Sequence, residues 1–229
     1  MKRFTTTSYL VSFICSYSNF VDVNDFGSPE EPNPTSKDKD HKADDLKAWI
    51  HLSKLIENGK ALFNQEFPQF QIDLSLPVII CGFSKGCVVL NELCEELIYL
   101  NEICDNELSC HNVTKSILEN FVSKVSNIIW LDGGHSGPTK AWVDNERVVK
   151  CIKDLNCNCV VYITPYQLLK MKHFEEYNKF IEILKKLNVN LVNKCYFEKN
   201  KNINDDWEYQ LNMHFELLRK FEIAFINNQ

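Results

Sequence analysis

Gly82-Phe83-Ser84-Lys85-Gly86 fits the pattern G-x-S-x-G, and its central serine is the first residue here that could do chemistry. A serine hydroxyl is a weak nucleophile until a base takes its proton and a third group orients the base. The pentapeptide also arises as an ordinary glycine-bounded turn with an incidental serine, so its flanks decide. Before it, Val78-Ile79-Ile80-Cys81 is a short, β-branched apolar run, expected of a strand buried on both faces. After it, residues 87–100 repeat Val88, Leu90, Leu93, Leu97 and Leu100 at helical spacing, with Glu92, Glu95 and Glu96 between them. Strand, sharp turn and helix together define a nucleophile elbow. There the serine backbone is strained, Gly82 and Gly86 keep side chains out of the crossing, and the N–H of Lys85 faces a developing oxyanion.

The partners of such a serine follow it in the order acid, then histidine. Asp132 comes directly after the apolar run 127–131 and opens the glycine-rich loop Asp132-Gly133-Gly134-His135-Ser136-Gly137-Pro138. It is the candidate acid; an aspartate before two glycines also shapes turns on its own account. His214 is the candidate base, expected near the start of the terminal helix after the last strand. Flanked by Met213 and Phe215, it reads equally as a packed helix histidine. His135 is the rival base, although three residues from its orienter is an unusual separation. His173, in a lysine-rich helix start, reads as solvated. His41, His51 and His111 suggest nothing. Asp132 with His135 supplies two metal ligands without a third, so no metal and no cofactor are expected.

The elements that must position these groups alternate. Residues 5–21 read as a strand and 24–43 as a polar loop with Pro29, Pro32 and Pro34. Asp44 caps a helix to about residue 63, and 67–76 lead into the elbow strand. Residues 101–112 form a polar connection and 113–125 a helix. The strand 127–131 precedes a helix capped by Asp144 and running to 155. Strand 159–164 stops at Pro165. A helix over 168–187, a strand over 189–197, a polar loop over 199–206 and a terminal helix over 207–226 complete the chain. Strands alternating with helices predict one α/β domain over 1–229 with a mainly parallel sheet, its reactive groups at the carboxyl ends of the strands.

Composition is that of a globular protein: 229 residues, 45% hydrophobic, 12% aromatic. The net charge of −6, without a basic stripe, gives no support to nucleic-acid binding. The ten cysteines include no C-x-x-C, and several fall in apolar elements, so they read as reduced and buried rather than as a disulfide framework or a zinc site. Residues 9–15 read as a strand rather than a signal peptide, and nothing approaches the ~20 apolar residues of a membrane span.

Three segments, GFSKGCVVLNEL, WLDGGHSGPTKAWV and VYITPYQL, together with Phe26-Gly27-Ser28-Pro29, resemble the α/β-hydrolase-like family typified by the mitochondrial product of chromosome 2 open reading frame 69. The resemblance covers nearly the whole chain. It implies a three-layer hydrolase-like fold with Ser84 at the nucleophile position, His214 at a recurrent C-terminal histidine, and a mitochondrial location; apart from the resemblance, the expected location is intracellular and cytoplasmic. Family members carry a further N-terminal portion with a strand and a Phe-Pro-Gly-Asp loop. Relative to them the chain reads as N-terminally incomplete, without the segment expected to supply a second oxyanion donor.

The expected function is hydrolysis of an ester, thioester or lipid-like acyl substrate by Ser84, His214 and Asp132. The alternative is a hydrolase-like binding or regulatory protein without turnover, or a truncated gene product. Oligomeric state is not legible.

Overall fold

A computed structural model describes residues 47–70, 72, 76–105, 120–134, 140–169, 171–198 and 207–221. The strand expected over 5–21, the loop over 24–43, the cap Asp44, His41, His111, the rival base His135 and the loop over 199–206 lie outside the described residues.

Four parallel strands form the sheet, in the order β1-β2-β3-β4: β1 Val78–Phe83, β2 Val125–Leu131, β3 Asn158–Ile163 and β4 Leu191–Cys195. Sequence order and spatial order coincide, and because every neighbouring pair is parallel a crossover connects each strand to the next. The helices are α1 Lys47–Glu66, α2 Gly86–Asp105, α3 Glu146–Asp154, α4 Pro165–Leu168, α5 Met171–Lys186 and α6 Trp207–Lys220.

Side chains alternate across a strand, so β2 and β3 feed two cores. Ile128 and Trp130 of β2, with Val161 and Ile163 of β3, join Leu90 and Leu93 of α2, Val149 and Ile152 of α3, and Phe180 and Leu184 of α5. Ile129, Leu131, Val160 and Tyr162 point the other way and meet Tyr196 and Leu217, the latter from α6. Both faces of the sheet are thus covered.

Several elements differ from expectation, each for a local reason. β1 is half-buried along most of its length rather than buried on both faces, because it is an edge strand among the described residues. α2 runs five residues beyond Leu100, since Asn101-Glu102-Ile103-Cys104-Asp105 contains no glycine or proline to break it. β2 begins at Val125, preceded by a 3₁₀ turn Val122–Lys124 where the end of a helix was expected. Asn145, not Asp144, caps α3: its Oδ1 accepts from the Arg147 N–H at 2.9 Å. Asp144 is instead paired with Lys140 and with Lys179 of α5. The helix expected over 168–187 is α5, Met171–Lys186, and a separate short helix, α4, precedes it. Pro165 starts α4, and α5 begins separately at Met171. β4 is shorter than expected, and α6 is described only to Lys220.

Candidate active site

The register brings the sheet's carboxyl ends level. Phe83 of β1 pairs with Leu131 of β2, and Leu131 with Tyr162 of β3. The next residue along each of the first two strands is a candidate, Ser84 and Asp132. The Ser84 N–H donates to the Leu131 carbonyl at 2.9 Å, and the Asp132 N–H to the Tyr162 carbonyl at 2.7 Å. Each candidate is therefore tied by its backbone to the neighbouring strand, side by side on one edge.

Both have left-handed backbones, φ 53° at Ser84 and φ 49° at Asp132. That region is sparsely populated by residues with a Cβ. At Ser84 it produces the turn: the strand ends, the Cys87 N–H bonds back to the Ser84 carbonyl at 3.0 Å, and α2 starts at Gly86. Gly82 is fixed by the same crossing. A Cβ there would lie 2.7 Å from the Gly86 carbonyl oxygen and 2.9 Å from Leu90 Cδ1. Lys85 lies between the serine and the first turn of α2, where the orphan N–H groups and the helix dipole favour negative charge. Gly133 and Gly134 admit close packing after Asp132. A Cβ on Gly133 would press on Cys87 and Trp142, and one on Gly134 would land on the Gln167 amide, 2.0 Å from its Oε1.

Asp132 is fully buried, and its carboxylate collects three donors. Thr164 gives its N–H to Oδ1 at 2.7 Å and its hydroxyl to Oδ2 at 2.6 Å. His214 Nδ1 lies 2.7 Å from Oδ2. A carboxylate oxygen accepts, so Nδ1 carries the proton and Nε2 is left as the ring's basic atom. His214 lies in the middle of α6, rather than near its start, and is buried. Its ring stacks on Phe83, the residue before the serine, at 4.4 Å between centroids and 27° between planes. Tyr166 at 5.0 Å and Phe215 at 5.3 Å complete an aromatic surround.

Of the residues singled out in the sequence, the structure brings Asp132 and His214 into direct contact and stacks Phe83, the residue before Ser84, on the His214 ring; among the described residues no hydrogen bond joins Ser84 to His214. His135 lies outside the described residues. His173 is buried, not solvated: the start of α5 packs beside α4, and its Nδ1 sits 3.2 Å from Gln167 Oε1. Among the described residues no group of three or more His, Cys, Asp or Glu side chains could hold a metal ion. No described helix is long and apolar enough to cross a membrane. Sequence reasoning missed Thr164, whose only signal was its place at the carboxyl end of a strand. It also missed Phe83 and Tyr166, which look like ordinary core aromatics.

The fold and the site define an α/β protein with a parallel sheet and a buried Asp-His pair beside a strained serine turn. Residues 64–190 match the protein family described as C2orf69, and the chain belongs to that family. The chain is 30% identical over 227 residues to the Mitochondrial protein C2orf69 homolog of Danio rerio, which covers 93% of this chain and 57% of the relative. It is 27% identical to the Mus musculus homolog, over 83% of the chain and 59% of the relative. To the Homo sapiens Mitochondrial protein C2orf69 it is 32% identical over 136 residues, 58% of the chain and 32% of the relative. The chain thus spans little more than half the length of the fish and mouse relatives it matches. All three are named as mitochondrial proteins, in agreement with the location expected from the resemblance. No solved structure matches the chain.

Proposed function

We propose that the chain is a serine hydrolase of α/β-hydrolase type, acting on an ester, thioester or lipid-like acyl substrate. The observation that carries this reading is the Asp132–His214 hydrogen bond, formed at the sheet edge where Ser84 occupies a left-handed turn. In this mechanism Ser84 Oγ attacks the acyl carbon while His214 Nε2 takes its proton. Asp132 holds the ring in the Nδ1–H tautomer and faces the imidazolium that forms. The Lys85 N–H donates to the tetrahedral oxyanion, at the positive end of the α2 dipole. Return of the proton from Nε2 to the leaving group gives the acyl-serine, and water then repeats the sequence in reverse roles.

Labelling by a fluorophosphonate probe tests the reading. The unmutated protein is expected to label and Ser84→Ala to be silent. Asp132→Asn should label about 10⁴-fold more slowly, the loss typical of a triad whose histidine tautomer is no longer fixed. A folded protein that does not label would instead be a hydrolase-like binding or regulatory protein.

A further inference from the structure

We infer that Thr164 is a positioning residue of this site, gripping both oxygens of Asp132 so that Oδ2 is aimed at His214. The two bonds come from one residue and end on different oxygens: N–H to Oδ1 at 2.7 Å, hydroxyl to Oδ2 at 2.6 Å. A carboxylate held at one oxygen can still turn about its Cβ–Cγ bond. Held at both by a single rigid residue, it cannot, and its plane is fixed before His214 arrives.

A second observation is independent of the first. Thr164 occupies the N-cap position of α4, with extended φ −118° and ψ 163°. A threonine there normally turns its hydroxyl onto the helix's own N–H groups. Here it makes no such cap, and only the Thr164 backbone carbonyl serves the turn, accepting from the Gln167 N–H at 3.2 Å. The hydroxyl is diverted from its usual local partner to a carboxylate 32 residues away in the chain. Both Thr164 and Asp132 are fully buried, so water is no competitor for either bond. The junction of β3 and α4 thereby supplies the site with a residue although it carries no member of the Ser-His-Asp set.

The catalytic consequence of this arrangement rests on the serine-hydrolase reading; the positioning itself does not. The test therefore begins on the ring proton. In protein labelled with ¹⁵N-histidine, the His214 Nδ1–H should give a resolved downfield line in slow exchange with water. Thr164→Val keeps the shape and removes the hydroxyl. It should speed that exchange about tenfold, the factor one net hydrogen bond to a charged group allows. Thr164→Ser, which restores the donor, should return the exchange to the unmutated rate; a general packing defect would not be rescued in this way. An unchanged line and exchange rate in folded Thr164→Val overturns the proposal. Thr164→Ala replaces it if the valine overpacks. The unmutated chain supplies a further arm: a Thr164 amide that exchanges as freely as an exposed loop amide also overturns the proposal.

Fluorophosphonate labelling then separates the two readings. The rate should fall about tenfold in Thr164→Val and recover in Thr164→Ser. Labelling that depends on Ser84 yet ignores Thr164, with the ring proton unmoved, removes the positioning role and leaves the hydrolase. A ring proton that responds to Thr164 in a protein that never labels removes the hydrolase and leaves the positioning.

Discussion

Ser84 and Asp132 are each the first residue beyond a parallel strand, and each takes a left-handed φ near 50°. A residue with a Cβ enters that region at a cost of roughly 1–3 kcal/mol, which the surrounding bonds must offset. At Ser84 they do so through the Leu131 carbonyl in front and the first turn of α2 behind. The narrowest point of this crossing is Gly82. Gly82→Ala puts a methyl 2.7 Å from a backbone oxygen that cannot rotate away. It should destabilise the protein by about 1–3 kcal/mol, as overpacking does, and slow probe labelling by moving Ser84. A melting temperature equal to that of the unmutated protein would show that the crossing yields to the added methyl without cost. The serine and its glycines were legible because their constraint is local. The Asp132–His214 pair was legible only as an order along the chain, since 82 residues separate the partners. Whether His214 met a carboxylate or merely packed is decided by the placement of α6 on the sheet, which no spacing encodes.

At the scale of elements, the elbow depends on α2, and α2 is held by α1 through a buried acid. Glu96 accepts from the Ala48 N–H at 2.9 Å and the Trp49 N–H at 3.0 Å. Those are orphan donors of the first turn of α1, so a side chain of α2 caps a helix distant in sequence. The Trp49 indole answers with a bond to the Leu93 carbonyl at 2.8 Å. Asn91 ties the other side of α2, accepting from the Trp130 indole at 3.1 Å and donating to the Ala141 carbonyl at 3.0 Å. In the sequence Glu96 belonged with Glu92 and Glu95 as a polar face, and only the docking of α1 makes it an anchor. Asp144 was misread in the opposite sense: its residue type suits a cap, but Asn145 beside it has the cap position and Asp144 the two lysines. Glu96→Ala leaves two buried N–H groups without an acceptor. Its expected cost is about 2–3 kcal/mol, within the range for a hydrogen-bonded charged group, measured by urea denaturation. A midpoint unchanged from the parent would mean that α1 is not anchored through this carboxylate.

For the whole molecule, alternation of apolar strands with amphipathic helices was enough to predict a parallel α/β sheet, because each strand's two faces must be covered. The ends of elements were less legible, as with α2 and β4, where no glycine or proline marks the true stop. The two cores also set how the protein meets pH. Cys81 borders one core, and Cys87, Cys94 and Cys159 lie in the other. All four are free thiols, and burial is the leading cause that raises Cys81, Cys87 and Cys94. For Cys159 the first cause is its hydrogen bond with Cys157, followed by burial. Cys81 is pushed up to about 12, and the half-buried Cys195 to about 11. A thiol raised by folding loses its proton more readily in the unfolded chain, where it titrates at about 8.5. Below that pH both states hold the proton and the groups leave stability unaffected. Above it the unfolded state binds fewer protons, so stability falls as pH rises, and the Cys81 contribution continues to fall until about 12. Thermal melts between about pH 7.5 and 10.5 should therefore show a decline that begins near the unfolded thiol value. Cys81→Ser removes one ionisable group and should make the decline shallower, by up to ~1.4 kcal/mol per pH unit. An alkaline limb that keeps its slope in Cys81→Ser would assign the loss to other groups and show that β1 lets solvent reach this thiol.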